Sequence, residues 1–209
     1  MNRRLILFVS FTLFVSLTGC LPFVKMESGR VIGKDRFSVG AIASSYSISS
    51  SGDKSFTIPY GEFQVKEGIT EKFEISGGLN SVGFVIINGK YQIVGDQKSF
   101  FALSLGIGSD ILVFIPKSDS NIKKNLKLSI PVFTSYHFTK KTYLFIAPQF
   151  SKQIIFDKKE DNINFLGISL GLGIYIKNGE INLGGGYFAP INELQSNIDQ
   201  IGVSYRHFF

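Results

Sequence analysis

From Leu166 to Ile176 an apolar residue recurs at every second position: Leu166, Ile168, Leu170, Leu172, Ile174 and Ile176, with Gly167, Ser169, Gly171, Gly173 and Tyr175 between them. A period of two sends alternate side chains to opposite faces of an extended strand, so one face is apolar and the other small or polar. The same alternation sets Phe101, Leu103, Leu105 and Ile107 against Ala102, Ser104, Gly106 and Gly108. It also sets Leu126, Leu128, Ile130 and Val132 against Lys127, Ser129 and Pro131, and Ile181, Leu183 and Tyr187 against Asn182, Gly184 and Gly186. Ten strands are predicted, over 36–47, 56–67, 71–79, 82–93, 98–108, 125–138, 142–155, 163–177, 180–189 and 198–209. Alternation is weak around Val85–Ile87 and Leu144–Ile146, and without those two segments the count is eight.

The connections carry a second pattern. Those after the second, fourth, sixth and eighth strands are short and mostly polar, such as Thr139-Lys140-Lys141 and Asn178-Gly179; most of the others are long, including 109–124, 156–162 and 190–197. Only the short link at Asn80-Ser81 departs from this. Short periplasmic turns alternating with long outer loops characterise transmembrane barrels. The expected fold is therefore all-β, an antiparallel up-and-down transmembrane β-barrel over residues 36–209. Lipid offers no hydrogen bonds, so a spanning sheet has to close on itself. An even strand count returns both chain ends to the periplasmic side. Phe73, Tyr91, Phe101, Tyr136, Tyr205 and Phe209 share the outward parity near the short turns and suit an interfacial aromatic girdle in a chain without Trp. A soluble lipocalin-like barrel would invert the parity, and the Gly/Ser faces of the fifth, eighth and ninth strands are a poor water-facing surface.

The first twenty residues read as an address. Arg3 and Arg4 precede the largely apolar run Leu5–Leu17, which has the length of a signal-peptide core and is too short to span a bilayer as a helix. Leu17-Thr18-Gly19-Cys20 resembles the lipobox of bacterial lipoproteins. That resemblance implies cleavage of residues 1–19, acylation of Cys20, a lipidated periplasmic tether over 20–35 and residence at the outer membrane, since Leu21 and not Asp follows the cysteine. The last nine residues, Ile201 to Phe209, resemble the terminal strand signal of bacterial outer-membrane barrels, with Phe209 as the assembly signal; His207 on the apolar parity is a departure suited to headgroup depth. The resemblance implies outer-membrane lipid, lipoprotein-processing and barrel-assembly machinery as partners. A monomer is expected.

Composition narrows the function. The 209 residues carry 22 basic and 16 acidic side chains without a dense basic run, so no nucleic-acid partner is expected. No metal spacing, phosphate-binding loop or nucleophile elbow occurs, and no cofactor is expected. Two histidines are present; His137 with Thr139 vaguely resembles the His-x-Ser pair of lipid A deacylases, but both histidines fall at the periplasmic rim. The acids Asp53, Asp110, Asp119, Asp157, Glu160, Asp161 and Glu193 read as loop residues. Inward parity places Arg36, Glu62, Gln64, Lys66, Lys72, Glu74, Lys90, Gln92 and Arg206 in a lumen polar network, with Lys66 opposite Glu74 in one allowed register. Five bases then face two acids. The expected protein is a non-enzymatic structural or surface-interaction barrel with a largely side-chain-filled lumen. A narrow anion-preferring channel is the alternative, ahead of an outer-leaflet lipid-modifying enzyme.

Overall fold

The computed structural model describes residues 24–50, 56–112, 125–156, 162–191 and 196–209. Ten antiparallel strands close into one barrel: β1 (Phe37–Ser50), β2 (Phe56–Gly68), β3 (Phe73–Asn80), β4 (Phe84–Val94), β5 (Phe101–Leu112), β6 (Asn125–His137), β7 (Thr142–Ile155), β8 (Ile163–Ile176), β9 (Gly179–Pro190) and β10 (Ser196–Phe208). Each strand pairs with its sequence neighbour, and β10 closes on β1 from Ser38–Phe208 to Ser50–Ser196. Closure leaves no unpaired edge, the condition for a sheet in lipid. Ten strands hold. Both weakly alternating segments are strands, as β4 and β7.

The reason for the weak alternation lies inside the barrel. Phe84 and Ile86 of β4, and Tyr143, Phe145 and Ala147 of β7, point inward and are buried, while their neighbours Ile87 and Ile146 face out. Apolar residues on both faces erase the period. The lumen is therefore not uniformly polar: Tyr46, Ile58, Tyr60, Tyr143, Phe145, Phe165, Phe188 and Ile198 form a buried cluster within it. Inward glycines make room for these rings. A Cβ on Gly171 would stand 2.5 Å from the Phe145 ring, and one on Gly173 would collide with Tyr143.

The outer face is apolar all round. Leu166, Ile168, Leu170, Leu172, Ile174 and Ile176 of β8 are all exposed, as are Ile107, Ile130, Leu183 and Ile201 on other strands. Water would not tolerate such a surface, and lipid requires it. At the short-turn end Tyr91, Phe101, Tyr136, Tyr205 and Phe209 are exposed, Phe73 is partly so, and the pairs Phe73–Tyr91 and Phe101–Tyr136 face each other across strands. His207 lies in the same belt, edge-on to Phe209 at 4.7 Å with Nδ1 3.2 Å from the Tyr205 hydroxyl.

Two boundaries move the chemistry. β5 runs to Leu112, four residues past its expected end, so Asp110 is a strand residue and not part of a loop. Residues 24–33, within the stretch expected as periplasmic tether, run inside the barrel, where Val24, Met26, Ser28, Val31 and Ile32 are buried.

Candidate functional site

The site is the lumen together with the N-terminal segment that occupies it. Leaving β1, the chain turns through Asp35 and Gly33, both at positive φ (55° and 86°), and Asp35 N–H donates to the Gly68 carbonyl at 3.0 Å. Gly68 has no room for a Cβ, which would overlap the Gly33 carbonyl. The segment then climbs away from the short-turn rim. Ile32 N–H donates to Glu74 Oε2 (2.8 Å), Val31 N–H to Gln92 Oε1 (3.1 Å), Gly29 N–H to Ser135 Oγ (3.1 Å), Lys25 N–H to Ser169 Oγ (3.1 Å) and Val24 N–H to Gln200 Oε1 (3.1 Å). In the other direction, Ser104 Oγ donates to the Gly29 carbonyl and Gln97 Nε2 to that of Val31, while the segment's own Arg30 guanidinium donates to the Ser99 carbonyl. Buried backbone groups need partners. Here wall side chains supply them where a neighbouring strand ordinarily would.

Charge fixes the centre of the segment. Glu27 Oε2 pairs with Lys66 Nζ, with Lys90 Nζ at 3.1 Å, and lies 4.0 Å from Arg206 Nη2. Glu74 Oε1 stands 2.9 Å from Lys90 and 3.5 Å from Lys66, and Glu180 Oε1 accepts from Arg206 Nη1 at 2.5 Å. All five wall residues are buried. Burying charges costs several kcal/mol each unless partners surround them, and this cluster alternates sign throughout. Asn182 and the Tyr143 hydroxyl complete the shell around Glu180.

The sequence-predicted network thus divides. Lys66, Glu74, Lys90 and Arg206 converge on the segment, and Gln92 binds its backbone. Glu62 and Gln64 bond to each other, with Tyr60 donating to Glu62. Lys72 is exposed in the β2–β3 turn and Arg36 is exposed at the mouth, so neither joins the cluster. The Lys66–Glu74 contact is diagonal: Lys66 pairs with Ser76 and Glu74 with Gly68 in the backbone register. Phe209 ends the chain on the rim, its N–H bonded to the Phe37 carbonyl at 2.9 Å. Cys20 lies outside the described residues, as do Asp53, Asp119, Asp157, Glu160, Asp161 and Glu193.

Four charged residues were missed. Glu180 and Lys127 sit on the inward parity of β9 and β6, a signal already visible in the alternation. Asp110 lies beyond the point where alternation fades in β5, which makes it read as a loop residue; it is buried, with Oδ2 2.6 Å from Lys127 Nζ. Glu27 carried no signal, because no periodicity marks a segment that is not a strand.

His137 faces inward. Nε2 is 3.1 Å from Ser135 Oγ and 3.4 Å from Ser28 Oγ, and its ring lies against those of Tyr143 and Tyr175. Nδ1 has no hydrogen-bond partner among the described residues, so no carboxylate orients the imidazole as a hydrolytic triad requires. Thr139 bonds within its own turn, to Thr142 and Lys141, and not to His137.

What remains open is unequal. Between segment and wall, beside Glu62, Gln64 and Asp110, a void of about 10 Å³ is left, about enough for one water at most. At the short-turn mouth a cavity of about 270 Å³ is lined by Arg30, Arg36, Lys140, Lys177 and Arg206 against a single acid among its lining residues, Glu180.

No protein-family model matches the chain, and no curated protein does. Solved structures match through the fold. The COG4313 outer membrane channel from Pseudomonas putida F1 aligns over 90% of this chain and 100% of its own at 8% identity, with a TM-score of 0.60. The outer membrane protease OmpT from Escherichia coli (8% identity, 87% and 100% covered, TM-score 0.47) and Neisserial surface protein A (14%, 82% and 96%, TM-score 0.41) are more remote in shape. The chain is an outer-membrane-type, ten-stranded antiparallel β-barrel.

Proposed function

We propose that this outer-membrane barrel is a narrow, anion-preferring conduit that its own N-terminal segment closes. The observation that carries this reading is Glu27: the wall sets Lys66, Lys90 and Arg206 against Glu74 and Glu180, and a carboxylate from outside the wall supplies the one missing negative charge. A lumen meant only to be filled needs no counter-charge from outside its wall. The wall is complete without the segment, because every strand is paired around the ring. Likeness to a channel from Pseudomonas putida supports the barrel frame and agrees with this use of it.

A second reading keeps the barrel permanently closed, as a structural or surface-interaction protein. The apolar cluster of Tyr46, Ile58, Phe165, Phe188 and Ile198 above Val24 favours it. Planar-bilayer recording decides between them. Glu27→Lys places a fourth cation in the cluster and should expel the segment. Anion-selective current absent from the unmodified chain is the expected result. Release of the segment without current would establish the closed barrel.

Acylation of Cys20 belongs to the same proposal and constrains it. Four residue steps lead from Cys20 to Val24 and span at most ~14 Å. Val24 is held by Gln200, and the path along β10 from there to Phe208 at the rim is roughly 26 Å at ~3.3 Å per residue. A lipid in the periplasmic leaflet and a docked segment are therefore alternatives, and anchorage favours the open form. Metabolic labelling with a palmitate analogue should be lost in Cys20→Ala, with the barrel still inserted.

A further inference from the structure

The position of the Glu27 carboxylate says what else could occupy its place. Lys66, Lys90 and Arg206 converge there, and the wall gives them only Glu74 and Glu180 as acids. Once the segment withdraws, three cations face two anions on the inner wall. Arg206 joins this cluster to the cavity at the short-turn mouth, since the guanidinium lies 4.0 Å from Glu27 and the residue also lines that cavity. Arg36, Lys140 and Lys177 belong to the rim and wall turns and stay when the segment, with Arg30, leaves. The mouth thus offers one buried carboxylate position beside a basic rim; with the segment docked the cavity there is already about 270 Å³, near the lower bound for small-molecule sites, and withdrawal of Arg30, Val31 and Ile32 from its lining enlarges it.

We infer that this mouth is a binding site for a small di- or tricarboxylate, one carboxylate taking the Glu27 position among Lys66, Lys90 and Arg206 and the remainder facing Arg36, Lys140 and Lys177. The inference rests on the reading that the segment can leave. Glu27 then acts as an internal competitor: bound carboxylate and docked segment exclude each other. A guanidinium and two ammonium groups converging on one carboxylate are the charge-assisted donors such a ligand needs. Free ligand in the periplasm would open its own entrance.

Citrate and succinate are the probes, with inorganic phosphate as comparison, titrated calorimetrically against the full chain in detergent micelles at low salt. Glu27→Gln removes the competing charge, so citrate should bind that variant at least about tenfold more tightly than the unmodified chain, with succinate weaker. Arg206→Gln should abolish the gain, and Lys98→Gln on an exposed turn should not. A second measurement needs no variant. Lys25 and Arg30 are trypsin sites held within the barrel, so citrate should accelerate their cleavage in the unmodified chain several-fold.

Citrate binding with accelerated cleavage supports the site. Citrate binding without conductance supports it too, while removing the conduit. Anion conductance in Glu27→Lys with no citrate binding to Glu27→Gln overturns the site and leaves the conduit standing. Phosphate binding as tightly as citrate, or binding that survives Arg206→Gln, also overturns it.

Discussion

The wall and the segment inside it are both extended chain, yet they are held by different bonds. In the wall, backbone pairs with backbone through ten ladders, so the bonds themselves do not depend on side-chain identity. In residues 24–32, backbone pairs with side chains: Gln200, Ser169, Ser135, Gln92 and Glu74 each take one N–H. The first arrangement belongs to the fold. The second can be exchanged for water, one bond at a time, without opening the barrel. Where a chain borrows side chains for its hydrogen bonds, its departure would leave every ladder intact.

The largest effect expected on this contrast is that of Glu74→Gln. Glu74 serves both regions at once, holding Lys66 and Lys90 of the wall and the Ile32 N–H of the segment. Removing one partner from a buried ion pair costs ~3–5 kcal/mol, chiefly by stranding the other. The loss should fall on docking before it falls on the ladders. Trypsin should cut at Arg30 while the barrel keeps its heat-resistant mobility in gels. Loss of both together would mean that wall and segment fold as one unit.

Gly173→Leu attacks the wall alone. The new side chain would need the space of the Tyr143 ring, and overpacking of this kind costs ~1–3 kcal/mol, occasionally more. Denaturant midpoint should drop, with Arg30 still protected below the transition. Gly68→Ala is the reverse test, and its effect should be smaller. Its Cβ meets the Gly33 carbonyl at the turn where the segment enters, so protection of Arg30 should weaken at an unchanged midpoint. A falling midpoint in Gly68→Ala would erase the distinction.

The wall was legible in the sequence to within a few residues, and the segment was not. Alternation at period two encodes a strand with two unlike environments, and β8 displays it without interruption. Where both environments are apolar, as at Ile86 and Ile87, the period fades and only length and turns mark the strand. The site was half legible for the same reason. Lys66, Glu74, Lys90 and Arg206 sit on strands whose parity points them inward, and so did Glu180, unremarked beside its turn. Glu27 obeys no period, because its segment is placed by what the finished lumen offers. Asp110 was lost to a boundary: its inward direction is visible only once β5 is known to continue past it.

The smallest effect concerns the β4–β5 turn, where wall and segment meet through a loop. Asp96 caps this turn: Lys98 N–H donates to Oδ1 at 2.7 Å, and the Ser99 hydroxyl and N–H each donate to it at 2.8 Å. The Lys98 N–H foremost, then the Ser99 groups, hold the carboxyl below the usual Asp range. A lowered folded-state value means the cap stabilises the turn above the unfolded value of ~3.9 and is lost as pH falls through the folded one. Between pH 5 and 8 the cap is constant. The same turn carries the Ser99 carbonyl that receives Arg30 and the Gln97 amide that holds the Val31 carbonyl, so its order is transmitted to the segment. Amide exchange at Ser99 and Val31 should therefore quicken together below about pH 4, and Asp96→Asn should show weakened protection of both already at neutral pH. The ladder amides of β8 should not respond. If Ser99 loosens while Val31 keeps its protection, the segment is held by Glu27 and Glu74 alone, and the turn serves only the wall.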